Sequence, residues 1–159
     1  MKKMVAMGVM ALFASSIFAQ TPRISIKGIE IGLTKEEIKA VTGIDEDMLV
    51  MNVAGVKVAM RLRYRGGKLE MAMGTYSPVE FEIIKEAFSS KYQKIQCQNS
   101  SVQNNMGAKF DQVDCSYMDS EAVLEIRKYM DTNRGSLKIK SRETFEREVN
   151  ELKSKKNDI

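Results

Sequence analysis

Apolar and polar residues alternate along two neighbouring segments near the middle of the chain. From Val56 to Tyr64 every second residue is apolar, and four of the intervening or following residues are cationic. A period of two is typical of a β-strand that buries one face. The pair Gly66-Gly67 separates this segment from a second alternating run, residues 68–76, and indicates a two-residue hairpin turn.

The glycine turn also predicts the register of this hairpin. Counting outward from it places Leu62 opposite Met71 and Met60 opposite Met73, so that one apolar face forms. A slip of one residue would turn every side chain to the other face. The three methionines on this face are interpreted mainly as core residues, and an adaptable binding surface is the alternative.

Four cations alternate with the apolar residues of the first strand and lie on its polar face. They are the candidate partner-binding residues: Lys57, Arg61, Arg63 and Arg65. Arg63 is expected to lie opposite Glu70, which is a favourable cross-strand pair. A sheet face open to solvent explains this stripe without a ligand, and a protein partner is the sharper alternative. The cationic face of the strand carries no interleaved aromatic residue, and single-stranded nucleic acid would require such stacking platforms. We therefore expect no nucleic-acid partner.

Capping signals predict where the helices begin. Thr34 with Glu37 and Ser77 with Glu80 each have the spacing of a capping box, and Gly43 is placed to end the first helix. Apolar residues at helical spacing predict the buried faces. These are Ile38 and Val41 in the first helix, Phe81, Ile84 and Phe88 in the second, and Phe145, Val149 and Leu152 in a third helix capped by Ser141.

The order of these elements predicts the fold class. A strand, a helix, the hairpin and a helix are followed by about four strands and a last helix. Hairpin connections favour antiparallel pairing, and helices cover the apolar face of such a sheet. We therefore expect an α+β fold with an antiparallel sheet of about five to seven strands and two or three helices packed on one face.

The N-terminus has the layout of a secretory signal peptide. Lys2 and Lys3 precede an apolar run, residues 4–14, and small residues follow up to Ala19. The run is too short to remain as a stable membrane anchor. The predicted organisation is a signal peptide at 1–19, one domain at 20–153 and a frayed tail at 154–159. Without the two leader lysines the chain has 23 basic and 21 acidic residues, and its C-terminal segment is the more basic part.

The chain has two cysteines, Cys97 and Cys115. Two cysteines in an exported chain usually pair, so we predict a disulfide between them. The polar, glycine-containing segment that they bound is expected to form a loop between two strands.

Few residues suited to catalysis are present. The sequence contains no histidine, which is the usual base for serine or cysteine nucleophiles. Two cysteines cannot fill a tetrahedral zinc shell. The acidic cluster at residues 45–47 lacks the ligand pattern of a calcium loop and is interpreted as a solvated turn. We therefore expect no catalytic residue, metal or cofactor, although a pair of carboxylates remains an open alternative.

Residues 28–43 resemble the opening of two kinds of small exported bacterial scaffold. Ile29, Ile31, the triplet 32–34, Ile38 and Gly43 follow a pattern of strand, Gly-Met-Thr, helix and glycine, with leucine in place of methionine. This is similar to the lipoproteins that assist outer-membrane protein assembly and to secreted β-lactamase-inhibitor proteins. The later segments look like exported bacterial and prophage proteins without an established role. The resemblance implies a binding scaffold and transfers no functional residue.

The expected function is that of a non-catalytic periplasmic or secreted binding protein, either an inhibitor or an envelope accessory factor. Its partner is expected to be another envelope or secreted protein. One alternative is a prophage-carried protein that protects the envelope, for example by inhibiting a lysozyme. Another is an envelope hydrolase that uses carboxylates.

Overall fold

A computed structural model of the chain describes residues 22–103, 106–129 and 134–157, so the predicted signal peptide lies outside the described residues. The described strands are β1 (Ser25–Ile26), β2 (Ile29–Glu30), β3 (Met48–Val53), β4 (Val56–Arg65), β5 (Lys68–Tyr76), β6 (Gln96–Gln103), β7 (Lys109–Met118), β8 (Ala122–Arg127) and β9 (Gly135–Ser141). The described α-helices are α1 (Lys35–Thr42), α2 (Phe81–Lys91) and α3 (Arg142–Asn157), and a 3-10 helix, Pro78–Glu80, leads into α2.

Seven of the strands form one antiparallel sheet in the order β3-β4-β5-β9-β8-β7-β6, and β1 pairs with β2 in a separate hairpin. The predicted α+β class is therefore confirmed. Sequence reasoning missed β3. A tight turn at Ala54 and Gly55, with φ angles of 53° and 89°, folds β3 back on β4. Positive φ at both turn positions matches the twist of a two-residue hairpin.

One face of the sheet forms the core and is called the core face. It carries Val58, Met60, Leu62, Ala72, Leu124 and Leu137. Phe81, Ile84 and Phe88 of α2 are buried against it, as predicted from their helical spacing. Ile38 of α1 and Ile26 of β1 belong to the same apolar cluster. Two of the three helices therefore lie on the core face.

The predicted helix starts are confirmed in detail. The Thr34 N–H donates to Glu37 Oε2 at 2.8 Å, and the Glu37 N–H donates to Thr34 Oγ1 at 3.3 Å. Gly43 ends α1 with a φ of 74°, a left-handed conformation in which glycine has no side-chain penalty. The Ser77 N–H donates to Glu80 Oε2 at 3.1 Å. Local sequence is enough here because each cap involves residues three or four positions apart.

Two residues predicted to be buried are exposed. Val41 of α1 is 52% exposed and Leu152 of α3 is 68% exposed, so both predictions are wrong. α1 packs chiefly on β2, and Ile38 supplies its buried residue. The described contacts of α3 with the sheet involve its first two turns, which leaves Leu152 beyond them. α3 continues to Asn157, and residues 158 and 159 lie outside the described residues.

The register of the β4–β5 hairpin changes after the first two residue pairs beyond the Gly66-Gly67 turn. Tyr64 lies opposite Leu69 as predicted, but Glu70 is an extra residue in β5 that forms a β-bulge, so that Arg63 lies opposite Met71. Leu62 therefore faces Ala72 rather than Met71. An extra residue in one strand turns all later side chains of that strand over relative to a simple count. The prediction that Met71 and Met73 face the core with Met60 is wrong.

The bulge gives a testable difference between two adjacent positions. Gly74 lies opposite Met60 on the core face, and a Cβ atom there would collide with Met60 Sδ and Val58 Cγ1. Replacing Gly74 with valine should destabilise the fold by about 1–3 kcal/mol through overpacking. The matched change at Met73, on the other face, should stay within about 0.5 kcal/mol. Urea unfolding of the two variants gives both values, and the opposite ranking would restore the simple register.

The other face of the sheet, called the outer face, is partly covered by α3. Lys140 of β9 lies on this face, and its Nζ atom lies 2.6 Å from Glu148 Oε2 of α3. The Thr144 hydroxyl donates to Glu70 Oε2 at 3.2 Å. The predicted cap is confirmed, because the Thr144 N–H donates to Ser141 Oγ at 3.1 Å. α3 therefore lies over β8 and β9 and reaches Glu70 of β5, and the strands nearest the β3 edge remain uncovered.

The hairpin formed by β6 and β7 is longer than predicted. Residues 96–103 and 109–118 pair as strands, so most of the segment expected to be a loop is strand. Its many asparagine, glutamine and serine residues disfavour a strand by composition. Backbone pairing with β7 nevertheless satisfies those main-chain groups of β6 that point toward β7. Cys97 lies directly opposite Cys115, and their sulfur atoms are 2.03 Å apart, at bonding distance as predicted.

Candidate functional site

The structure separates the four candidate partner-binding cations into two pairs, although all four are exposed. Arg63 Nε lies 2.7 Å from Glu70 Oε1, and Arg65 Nη1 lies 3.3 Å from Glu143 Oε1. Lys57 and Arg61 have no carboxylate partner in the described part of the chain. The first pair belongs to the contacts around α3, while the second pair lies on the uncovered strands.

The contacts around α3 form a charged network. Lys140 is buried, with 3% of its surface exposed, and its Nζ lies 3.0 Å from Glu125 Oε2 as well as close to Glu148. Burial by itself would raise the pKa of Glu148, but the hydrogen bond and charge of Lys140 outweigh it and lower that pKa. Lys138 and Arg63 add to the lowering. A buried lysine with two carboxylate partners favours one position for α3.

The uncovered part of the outer face is called the β3–β5 surface. It consists of Met48, Val50, Lys57, Ala59, Arg61 and Thr75, with Arg134 beside them. Strand pairing places Val50 opposite Ala59, and Ala59 opposite Thr75. Because Ala59 is small, the middle of this row is low, and it contributes to a shallow depression of about 490 Å³.

Apolar and cationic groups lie side by side on the β3–β5 surface. Val50 is 65% exposed and Met48 is 60% exposed. Arg61 extends along Met48, with its Nη2 atom 4.0 Å from the Met48 sulfur. Lys57 and Arg134 line the depression from the other end. An apolar floor between cations that lack described carboxylate partners is suited to an apolar group with negative charges near it.

Sequence reasoning found Lys57 and Arg61 but missed Met48, Val50 and Arg134. Met48 and Val50 could have been found from the uncharged run of residues 48–53 ahead of the Ala54-Gly55 pair, which is a strand and turn pattern. No sequence signal places Arg134 beside Lys57, because the two residues are brought together by the pairing of β5 with β9.

Several carboxylates are paired with cations, including Asp45 of the acidic cluster. Lys39 Nζ lies 2.6 Å from Asp45 Oδ2, and the charge of Lys39 lowers the pKa of Asp45 through this hydrogen bond. Asp114 and Glu125 line a cleft of about 250 Å³ beneath Phe145. Asp114 pairs with a neighbouring arginine, and Glu125 with two lysines. Among the described residues, no group of three or more acidic or cysteine side chains could hold a metal ion.

The disulfide lies away from the β3–β5 surface. Cys97 is on β6, at the edge of the sheet opposite β3, and Cys115 is buried on the core face. The pair therefore supports the fold at one edge of the sheet, whereas Met48 and Val50 lie at the other.

The helices in the described part of the chain all fall short of the length and apolar content that crossing a membrane requires. The comparisons with known proteins add no relative. No family model, curated protein or solved structure matches this chain.

Proposed function

We propose that this chain is a non-catalytic periplasmic or secreted binding protein, an inhibitor or envelope accessory factor. In this proposal its β3–β5 surface contacts another envelope or secreted protein. The observation that carries the proposal is the position of Val50 and Met48. Both are more than half exposed, and they lie beside cations without described carboxylate partners on a face that α3 covers elsewhere.

The composition of the surface supports a protein partner. Burial of exposed apolar side chains by a partner contributes about 25 cal/mol of favourable free energy for each Å² removed from water. Arginine and methionine are enriched at protein interfaces, and Arg61 lies along Met48 here. On the covered half of the same face, Arg63, Arg127 and Lys138 all have carboxylate partners within the chain. The cations at Lys57 and Arg61 remain available for a carboxylate of another molecule.

The predicted leader and the cysteine pair support an exported location. Disulfides persist in oxidising compartments such as the bacterial periplasm, and Cys97 and Cys115 lie at bonding distance. The resemblance of residues 28–43 to exported scaffold proteins supports a binding role in the same compartment.

Cross-linking tests this proposal. A photo-crosslinking benzoyl-phenylalanine at the exposed position Ala59 should capture one defined protein in the envelope of cells that express the chain. The same group at Lys153, exposed on the far part of α3, should not capture it. Adducts at Lys153 alone would contradict the proposal and move the partner to the basic C-terminal segment.

Charge reversal supplies the quantitative test. The double variant Lys57→Glu/Arg61→Glu should bind the captured protein about tenfold more weakly or worse, because a loss of 1.4 kcal/mol is a factor of ten. The matched variant Lys153→Glu/Lys155→Glu carries the same change of net charge and should bind normally. Equal affinity of the two variants, with unchanged melting temperatures, would remove the β3–β5 surface as the binding site.

A further inference from the structure

The edge of the β3–β5 surface is formed by the backbone of β3. β3 is the first strand of the sheet, and β4 is its only strand neighbour in the described part of the chain. Resting on the proposed function, we infer that β3 binds an extended acidic segment of the partner protein as an additional strand of the sheet. Such strand addition obtains affinity from main-chain hydrogen bonds and specificity from alternate side chains.

The hydrogen-bond pattern shows which backbone groups of β3 point outward. The Leu62 N–H of β4 donates to the Asp47 carbonyl, just before β3, at 2.8 Å, so Asp47 and Leu62 form a hydrogen-bonded pair. Such pairs alternate along an antiparallel ladder. Leu49, Met51 and Val53 therefore bond to β4. The N–H and C=O groups of the alternate residues Met48, Val50 and Asn52 point away from β4 and out of the sheet.

β3 lacks the features that usually protect an edge strand. Proteins block exposed edges with charged residues, proline or bulges, whereas residues 48–53 contain no charge and no proline, and they pair with β4 without a bulge. The opposite edge, β6, consists mostly of polar residues and is cross-linked to β7 through Cys97. The two edges of the sheet therefore differ in their readiness to accept another strand.

Side chains on the outer face specify the chemistry of the incoming strand. Its residue opposite Val50 would contact an exposed apolar side chain and should itself be apolar. The residues two positions to either side would lie opposite Met48 and Asn52. One strand further in, Arg61 neighbours Met48 and Lys57 neighbours Asn52. These cations lie on β4, which is two strand spacings, or about 10 Å, from the incoming strand. The long side chains of glutamates at those two positions and of Arg61 and Lys57 would extend toward one another across β3.

The expected partner segment is therefore extended. Its five residues follow the pattern acidic, any residue, apolar, any residue, acidic. A second copy of the chain fits this chemistry less well. The strand it would offer, residues 48–53, carries no carboxylate, so pairing through β3 strands would not provide carboxylates for Lys57 and Arg61. We therefore commit to an acidic segment of another protein.

Labelled peptides test the inference. The probe is Thr-Glu-Thr-Val-Thr-Glu-Thr, and its control has lysine in place of each glutamate. The acidic peptide should bind the mature protein at least about tenfold more tightly than the control, as measured by fluorescence anisotropy. Amide NMR signals of Met48, Val50 and Asn52 should shift on binding. The variant Lys57→Ser/Arg61→Ser should lose the preference for the acidic peptide.

A proline variant tests the backbone contacts separately. Val50→Pro removes an N–H that points away from β4, so the ladder to β4 keeps its bonds and the melting temperature should change little. Peptide binding should fall by about tenfold or more. Met51 donates toward β4, so Met51→Pro should instead unfold the edge.

The outcomes separate the inference from the proposed function. If neither peptide binds, but cross-linking at Ala59 and the charge-reversal effect persist, strand addition is overturned and the binding surface stands. If those two effects are also absent, both proposals fail. A concentration-dependent dimer that Val50→Pro abolishes would show that a second copy occupies the edge, which also overturns the inference.

Discussion

Replacing Leu62 with alanine should lower the free energy of unfolding by about 2–5 kcal/mol. Leu62 is 4% exposed and lies opposite Ala72 in the centre of the core face. The small side chain of Ala72 cannot expand into the space that the shortened residue leaves. A cavity therefore remains, and its cost adds to the lost transfer free energy.

The neighbouring residue is a matched control for this change. Arg61 is exposed on the outer face, and its one described side-chain contact is with Met48. Arg61→Ser should change stability by less than about 0.5 kcal/mol. Urea denaturation of both variants measures the difference. A protein that tolerates Leu62→Ala and unfolds with Arg61→Ser would show that β4 faces the opposite way.

Loss of the disulfide should have the second large effect. The double variant Cys97→Ala/Cys115→Ala should be less stable by about 2–4 kcal/mol, because the open chain gains conformational freedom when unfolded. The cysteines are 18 positions apart in sequence. β6 is an edge strand made mostly of polar residues, so its side chains contribute little apolar burial to compensate.

The measurement compares the oxidised protein with the double variant in urea. The reduced protein should match the variant, which separates the loss of the bond from the loss of two sulfur atoms. The oxidised protein should not react with a thiol reagent even when denatured. Two reactive thiols in the denatured, unreduced protein would contradict the disulfide.

Local patterns predicted those parts of the fold that depend on nearby residues. The capping boxes at Thr34 and Ser77 and the left-handed Gly43 were correct because their partners lie within a few positions. The turn at Gly66-Gly67 and the first pairs beyond it were also correct. Alternation along β4 predicted which side chains are buried, since one face of that strand packs against helices and the other meets solvent.

The bulge in β5 shows where pattern reasoning stops. Met71 and Met73 continue the alternation that begins at Leu69. Nothing local indicates that Ala72, Gly74 and Tyr76 should face the core instead. The small residues Gly74 and Ala72 fit the core face because Met60 and Leu62 fill the space opposite them. That choice depends on contacts across the sheet, which no single strand encodes.

The sequence by itself determined the antiparallel α+β class, the helix starts, the cysteine pair and the cations of β4. Only the tertiary structure decided which of those cations remain free. α3 lies across the outer face and places Glu143 near Arg65, whereas the pairing of Arg63 with Glu70 was already predicted from the hairpin. Lys57 and Arg61 stay unpaired in the described chain because strand pairing puts them beyond the reach of α3, next to the uncovered edge of β3. The physical reason is that charge pairing and edge exposure depend on long-range packing, whereas capping and alternation depend on neighbours in the chain.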